Sequence, residues 1–371
     1  QDALDEVQPG DTIEIESGEY YENIRTTVDG TPDQRIAITA AGGSSNKENV
    51  IIRGGGESTR IFEVNHDYYT IEVFTIDGEN LEVGDDEDYT NAYRDKLLYV
   101  VGTREPTMRD GGYLSALDGL IVTDMALKNA GGECLRIRYF VTYAEIYNNK
   151  LEKCGLYDFL FDEGGKNGEG IYMGTSNNQW DDGKNPTNDP DVCMGNHIHD
   201  NAIRTEGNEG VEVKEGSIDN IIEDNEISLQ LDADSGGICS RGDRTIIRNN
   251  RIVDASGAGV RLGGALVDGT QYGVDNEVYG NTMEDCRAYG VKIMASPQGQ
   301  VCGNDIELPD GKDDNDYAYS GGTYADAYDP REECDSNPGP SPTSPTPSTT
   351  SSTPSPTPLE EPRTSPTPSP T

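Results

Sequence analysis

The sequence predicts an all-β protein built as a parallel β-helix, a solenoid in which short strands wind into stacked coils. One observation behind this prediction is a set of six segments in which the second and fourth residues are almost all apolar. That alternation has the period of a strand with one buried face. The six segments are CLRIR, GIYMG, GVEVK, GICSR, GVRLG and GVKIM, which begin at residues 134, 170, 210, 237, 259 and 290.

A recurring asparagine is the second observation. Each copy follows an apolar residue three positions earlier and precedes another two positions later, and the later copies are 24, 25, 31 and 23 residues apart. Leucine-rich repeats and propeller blades would show other motifs and periods. We expect each asparagine to adopt the left-handed conformation at a bend and to hydrogen-bond its copies in the coils above and below. The copies are Asn149, Asn201, Asn225, Asn250, Asn281 and Asn304.

The predicted β-helix domain spans residues 1–335. Its opening strands are indicated by TIEIESGEYYENI, RIAITAAG, NVIIRGGG and YTIEVFTIDG, each of which ends in a turn residue. Residues 79–117 interrupt the rhythm with an acidic run at 85–88, so they are predicted to form a long solvated loop. Residues 336–371 are rich in Ser, Thr and Pro, a composition typical of a disordered linker or stalk.

The composition limits the classes of partner and compartment. The 371-residue chain carries 28 basic and 69 acidic residues, a formal net charge of -41, which disfavours binding to nucleic acid. No apolar run is long enough to span a membrane. The Ser/Thr/Pro-rich stretch, with a start that resembles a trimmed chain, predicts a secreted or cell-surface protein, and we expect a monomer. Seven cysteines without a CxxC pair favour one to three disulfides over a zinc site.

The third and fifth residues of the aligned segments are predicted to point outward. Six of the 28 basic residues fall in this one column, a local reversal of the acidic average that indicates an acidic polymer as ligand. The alternative is that these bases neutralise neighbouring acids. The column contains Arg136, Arg138, Tyr172, Glu212, Lys214, Arg241, Arg261 and Lys292. Trp180, in an insertion at 175–195, is a candidate for stacking on a sugar, or alternatively for packing the insertion onto the coil.

A second column consists of Glu133, Glu169 and Glu209, each just before one of three successive segments. Three stacked carboxylates repel one another, and a divalent cation would relieve the repulsion. Calcium accepts oxygen ligands with flexible geometry, so a calcium site is predicted here. Pairing with bases such as Arg136 is the alternative.

Lysine and arginine together on the outward column suit one reaction. A lysine flanked by cations and partly removed from water has a lowered pKa and can act as a base. An arginine keeps its proton and can neutralise a substrate carboxylate or support a leaving oxygen. The reaction that needs both, often with calcium, is β-elimination on a uronic-acid polysaccharide.

At Glu209, Lys214 and Arg241 the sequence resembles the right-handed parallel β-helix polysaccharide lyases, most closely the chondroitinase B and alginate lyase group. In that group a glutamate lies five positions before the catalytic lysine, and an arginine on the next coil assists. The opening stretch QPGDTIEIESGEY, with GTPDQRIAITA and YTIEVFTIDG, is also similar. The resemblance implies that Lys214 is the base, Arg241 the acid or charge stabiliser, and Glu209 a calcium ligand.

Other functions stay open at this point. A noncatalytic carbohydrate-binding or cell-wall protein would use the same fold without chemistry, and a C5 epimerase would use related proton abstraction. A glycoside hydrolase needs a carboxylate pair, for which Asp232 and Asp234 are candidates. His197 and His199 project together but lack a clear third metal ligand.

Overall fold

The computed structural model describes residues 1–55, 59–80, 92–161, 168–313, 316–320 and 329–334, and these lie in one compact unit. Three parallel sheets of ten strands each make up this part of the chain, and each coil contributes one strand to every sheet. The predicted parallel β-helix is therefore confirmed. The Ser/Thr/Pro-rich stretch 336–371 and the acidic run 85–88 lie outside the described residues.

The three sheets are defined by the strands that the successive coils contribute. The first sheet contains Thr12–Ile15, Ile36–Ala40, Tyr69–Glu72, Ile121–Thr123, Glu145–Tyr147, His197–His199, Ile221–Glu223, Ile246–Arg248, Glu277–Tyr279 and Val301–Cys302. The second contains Gly18–Tyr20, Val50–Ile52, Thr75–Asp77, Ala126–Lys128, Lys150–Glu152, Ala202–Gly207, Glu226–Gln230, Arg251–Val253, Thr282–Glu284 and Asp305–Glu307. The third contains Ile24–Arg25, Arg60–Val64, Lys96–Val101, Leu135–Arg138, Ile171–Met173, Val211–Val213, Gly236–Ser240, Ala258–Leu262, Val291–Ile293 and Ala318–Ser320.

Short elements decorate the coils. Among the residues that the structure describes, two antiparallel pairs and one parallel pair lie outside the three sheets: Thr107–Met108 with Leu114–Ser115, Leu266–Val267 with Thr270–Gln271, and Leu117–Asp118 with Val141–Thr142. In the described part of the chain, the short helices with defined bounds are Asp2–Glu6, Leu156–Phe159, and the 3₁₀ segments Gly43–Asn49 and Asn177–Gln179. No helix among the described residues is long and apolar enough to cross a membrane.

The core consists of apolar side chains stacked in register from coil to coil. The apolar position three residues before each recurring asparagine forms such a stack in the first sheet, which Val122 extends by one coil, and its members are fully buried from Val122 to Val278. Burying one such side chain stabilises the fold by about 1.5–3 kcal/mol relative to leaving it exposed. The stack is Val122, Ile146, Ile198, Ile222, Ile247 and Val278.

The recurring asparagines form the predicted ladder at the bend between the first two sheets. In each step, the backbone N–H and the side-chain amide of one asparagine both donate to the Oδ1 of the next, at 2.9–3.1 Å. The prediction that the asparagine itself adopts the left-handed conformation is wrong. The residue before it does so instead, for example Asn148, Asp200 and Asp224. The preceding residue makes the turn, and the asparagine itself points inward to bond its copies.

The ladder ends at residues 329–334. Both the backbone N–H and the amide of Asn304 donate to the carbonyl oxygen of Pro330, at 3.0 Å each. A disulfide between Cys302 and Cys334 ties this segment to the last coil, and a second disulfide joins Cys134 to Cys154. Two bonds agree with the expected one to three.

One prediction about the early coils is wrong. Residues 79–117 do not form only a loop, because Lys96–Val101 is a full strand of the third sheet. This strand is buried at five of its six positions, so both of its faces are covered. A strand covered on both faces has no reason to alternate apolar with polar residues, which is why KLLYVV lacks the expected pattern.

Replacing Asn225 by alanine tests the ladder. The change removes the acceptor for two donors of Asn201 and the donor to Asn250 and to Ile198 O, all in a buried setting. Each buried polar group that is left without a hydrogen-bond partner costs about 1–3 kcal/mol, so we expect the free energy of unfolding to fall by about 2–4 kcal/mol. Urea denaturation followed by circular dichroism measures this. Asn178→Ala, at an exposed position, is the control, and an equal effect of the two changes would contradict the role of the ladder.

Candidate functional site

The register of the third sheet stacks the predicted outward column on one face. We call its middle row the central ladder, which consists of Arg25, Glu63, Tyr99, Arg136, Tyr172, Glu212, Cys239, Arg261, Lys292 and Tyr319. Lys214 lies two residues after Glu212, and Arg241 lies two residues after Cys239. The two cations are therefore at the ends of adjacent strands. The superposition of coils that the sequence predicted is therefore present.

Lys214 and Arg241 meet at one carboxylate. Lys214 Nζ lies 3.1 Å from Glu212 Oε1, and Arg241 Nε lies 3.0 Å from the same oxygen. The Glu212 side chain is fully buried, that of Lys214 is 10% exposed, and that of Arg241 is 32% exposed. Arg241 is thus the member of this trio that a ligand reaches most directly.

Glycines flank this pair where the strands end. Gly174 precedes Lys214 by one coil and Gly263 follows Arg241 by one coil, and both have positive φ. A Cβ at Gly174 would lie 2.6 Å from Ser217 Oγ, and one at Gly263 would lie 2.5 Å from Ala295 N. Only glycine fits such positions without strain, so the chain turns sharply beside the two cations.

The electrostatics of the trio contradict one expectation. Burial opposes charge on Glu212, but Lys214 and Arg241 outweigh it and lower the pKa of Glu212 to about 2. Burial likewise disfavours the charged form of Lys214, yet the attraction of Glu212, with Tyr172, raises the pKa of Lys214 above its ordinary value. The predicted lowering of the Lys214 pKa by neighbouring cations is wrong, because Glu212 is closer than any of them and carries the opposite charge.

The sequence predicts that Arg136 and Tyr172 point outward, but in the structure both side chains are buried. The Arg136 guanidinium lies 3.4 Å from the centroid of the Tyr172 ring, and its Nη1 lies 3.2 Å from Glu133 Oε1. Lys214 Nζ lies 4.8 Å from the centroid of the same ring. Both residues form the floor beneath Lys214, where they support the site without facing solvent.

The insertion that follows Gly174 covers the other predicted ligands. Arg138 is buried and donates to Asn185 Oδ1 at 2.6 Å. Trp180 is 7% exposed, donates to Thr175 O and contacts the ring of Tyr272 edge to face, with centroids 5.5 Å apart. The predicted substrate-binding roles of Arg138 and Trp180 are therefore not supported, and packing of the insertion is the role that the contacts show.

Arg261 and Lys292 continue the cationic row beyond Arg241. Arg261 Nη1 donates to Gly263 O at 3.1 Å and lies 3.4 Å from Cys239 Sγ, while Lys292 Nζ donates to Asp234 O at 2.9 Å. Both side chains are half-buried. With Lys214 and Arg241, they give this part of the face an excess of cations over Glu212.

The glutamates predicted to form a column lie on three successive coils, two residues before strand positions that pair in register. All three are buried. Burial and the neighbouring Glu133 raise the pKa of Glu169 to about 8, and burial and Glu212 raise that of Glu209 well above its ordinary value. Both shifts favour the protonated form of these side chains, which lessens the repulsion between the stacked carboxylates.

The residues present do not fit the predicted calcium site of Glu133, Glu169 and Glu209. Glu133 is already paired with Lys96 at 2.9 Å and with Arg136, as the alternative interpretation held. The group of potential ligand atoms that gathers within 4.8 Å, among the described residues, is Glu209, Glu212 and Cys239. A thiol is a poor calcium ligand, and Glu212 is neutralised by two cations, so no step of the chemistry is derived through calcium.

Several participants escaped the sequence analysis. Lys96 and Tyr99 belong to a strand that lacks alternation, and Ser235, which contacts Glu209 Oε1, lies in a loop. Cys239 occupies the central ladder between Glu212 and Arg261, and burial and Glu212 raise its pKa to about 11. The register of GICSR with GVEVK was a signal that could have found Cys239.

The remaining candidates have other roles. Asp232 Oδ1 accepts the backbone N–H of Asp234 at 2.9 Å, an arrangement typical of a turn. His197 and His199 lie together on the first sheet, with ring centroids 4.1 Å apart, and are bound by Glu223 and Asp200 respectively. Neither pair contributes a side chain to the site on the third sheet, where Asp234 supplies only the carbonyl oxygen that binds Lys292.

Residues 138–318 match the family model described as right handed beta helix region. No curated protein matches the sequence. Among solved structures, the chain is similar to an alginate lyase of Paenibacillus sp. str. FPU-7, with 19% identity over 86% of this chain and 95% of that chain, at a TM-score of 0.60. It is also similar to a C387A mutant of the DFA-IIIase of Arthrobacter chlorophenolicus A6 in complex with DFA-III, with 13% identity over 84% of this chain and 76% of that chain, at 0.51.

These likenesses concern the fold, because the identities are low. They agree with the winding of the chain into coils that form three parallel sheets. The described chain is a right-handed parallel β-helix, and its residues 138–318 are the region that the family model of that name matches.

Proposed function

We propose that this protein is a secreted carbohydrate-active enzyme that cleaves a uronic-acid polysaccharide by β-elimination. The observation that carries the proposal is the meeting of Lys214 and Arg241 at Glu212 Oε1, on one face of the third sheet. The row of cations that Arg261 and Lys292 continue supports an anionic polymer as substrate. The similarity of the fold to that of an alginate lyase agrees with this chemistry.

In the proposed reaction, Arg241 binds the C6 carboxylate of the sugar and neutralises its charge. Neutralisation acidifies the C5 proton, because the negative charge that develops beside the carboxylate is then stabilised. Lys214 Nζ takes the C5 proton, the C5 electron pair forms the C4–C5 double bond, and the C4–O bond breaks. The leaving oxygen takes a proton from water, and the guanidinium of Arg241 stabilises its charge meanwhile.

The ion pair with Glu212 sets the conditions for this chemistry. A base must lose its proton before it reacts, and Glu212 holds the proton on Lys214. The reactive form is therefore a minority at neutral pH, and its share grows as the pH rises. The same ion pair favours the alternative of a noncatalytic carbohydrate-binding protein, in which the cations hold a polymer without reacting.

The lyase proposal predicts ultraviolet-absorbing unsaturated ends when the protein is incubated with alginate, pectate, chondroitin or dermatan sulfate, or glucuronan. Loss of the base in Lys214→Ala should lower the rate about 10²–10⁴-fold, and Arg241→Ala about 10²–10³-fold. Arg251→Ala, an exposed arginine of the second sheet, is the control. Cleavage without absorbance would indicate a hydrolase, isomer change without cleavage an epimerase, and binding without product a carbohydrate-binding protein.

The pH dependence follows from the direction of the Lys214 shift. Since the pKa of Lys214 is raised, kcat/KM should increase with pH throughout the neutral range. Glu212→Gln removes an opposite charge 3.1 Å away, so the pKa of Lys214 should fall and the midpoint of the pH–rate profile should move down by about 1–3 units. Glu226→Gln, an exposed acid of the second sheet, is the control. An unchanged midpoint in Glu212→Gln would exclude Lys214 as the base.

The calcium site predicted from the sequence is not part of this proposal, and chelation tests whether it exists. Lysine and arginine side chains already neutralise Glu133 and Glu212, so we expect that EDTA lowers neither the activity nor the thermal midpoint. The measurements are the rate of cleavage of the polymer substrate and the thermal midpoint of the protein, each with and without EDTA. A loss that calcium restores and magnesium does not would establish the calcium site predicted from the sequence.

A further inference from the structure

We propose that a groove at the beginning of the third sheet is a second binding site for a carboxylate-bearing saccharide. It lies on the same face as Lys214 but at the first three coils, and it encloses a cavity of about 550 Å³. The inference rests on the proposed function, because it makes the groove the site for a remote part of the same polymer. The lining residues that matter are Arg25, Arg60, Glu63, Tyr99, Lys184 and Asn185.

The register places this groove in line with the candidate active site. Glu63 pairs with Tyr99, and Tyr99 pairs with Arg136, so these are consecutive members of the central ladder. Tyr99 and Glu212 are three strands apart, which is about 14 Å at the spacing of neighbouring strands. The insertion at 175–195 contributes Lys184 and Asn185 to the wall of the groove, and Asn185 also bonds Arg138 of the neighbouring strand.

The charge of the groove is opposite to that of the chain as a whole. Arg25 and Arg60 share the single carboxylate of Glu63, at 2.8 and 3.5 Å. Lys184 pairs with Asp182 at 3.2 Å, and its side chain is 66% exposed. Among the lining residues Arg25, Arg60 and Lys184 outnumber Glu63, and in a protein with a net charge of -41 this local excess of cations favours an anionic ligand.

Asn185 supplies an independent observation that a ligand belongs here. The residue is 7% exposed, and its Oδ1 accepts from Arg138 Nε at 2.6 Å, which fixes the orientation of the amide. Its Nδ2 finds no acceptor among the described residues. A buried donor without an acceptor costs free energy, and a carboxylate or hydroxyl oxygen of a sugar in the groove would satisfy it.

The aromatic residue in the groove restricts the class of saccharide. The Arg60 guanidinium lies 4.0 Å from the centroid of the Tyr99 ring and covers it, and Tyr99 is 5% exposed. A neutral sugar would need a bare aromatic face for stacking, whereas this groove offers charged N–H donors. The groove therefore selects carboxylate-bearing sugars over neutral ones.

The test measures binding of end-labelled decamers of alginate and of polygalacturonate by fluorescence anisotropy in 0.1 M salt, with a malto-oligosaccharide decamer as the neutral probe. Asn185→Asp keeps the contact with Arg138 but replaces the unpaired donor by an acceptor with negative charge. This variant, and the double variant Arg25→Ala with Lys184→Ala, should each bind the acidic decamers about tenfold more weakly. Lys150→Ala, an exposed lysine of the second sheet, should bind like the unchanged protein.

Each outcome decides the inference separately from the proposed function. Equal binding by the unchanged protein and Asn185→Asp, binding of the neutral decamer with the same affinity, or no binding of either acidic decamer would overturn the groove site. If uronides are cleaved normally while the groove variants bind normally, the groove fails and the lyase stands. If binding depends on the groove but no polymer is cleaved, the lyase fails and the groove stands. Thermal melts of all variants confirm that they fold.

Discussion

Parallel hydrogen bonding from coil to coil is the constraint on which the rest of this structure depends. Each strand pairs with its equivalent one coil later, so residues far apart in sequence become neighbours about 4.8 Å apart. Glu212 is 27 residues from Cys239 in the chain but directly opposite it in the sheet. The ladder of asparagines fixes the same register at the bend, where a slip would leave buried amides without partners.

This register also creates the electrostatic problem that the site has to solve. Stacked equivalent positions place like charges close together, as with Glu133, Glu169 and Glu209. The repulsion is lessened in two ways: Lys96 and Arg136 pair with Glu133, and the raised pKa values of Glu169 and Glu209 favour their protonated forms. Glu212 stays ionised only because two cations share one of its oxygens. A buried ion pair of this kind is sensitive to the loss of either partner.

The fold could be predicted from the sequence because its signals are local and repeated. The recurring pattern around Asn225 indicates a bend within a few residues, and the segment GVEVK likewise indicates a strand. The register of Lys214 with Arg241 followed from aligning those segments. The burial of the site did not, because Arg138 is bonded by Asn185 of an insertion whose path no period describes. The pKa of Lys214 was misjudged for a related reason: the sequence shows which charges lie in a column, but not which of them is 3.1 Å away.

The last coil shows how a solenoid comes to a stop. A parallel β-helix has strand edges at its two ends, and a bare terminal edge can recruit the backbone of another molecule. Here the carbonyl oxygen of Pro330 takes the place that the next asparagine side chain would fill, and the Cys302–Cys334 bond keeps it there. Reduction of this disulfide would therefore release the segment and expose the strand edge of the last coil. Molecules would then associate end to end into filaments, so solubility would be lost before the core unfolds.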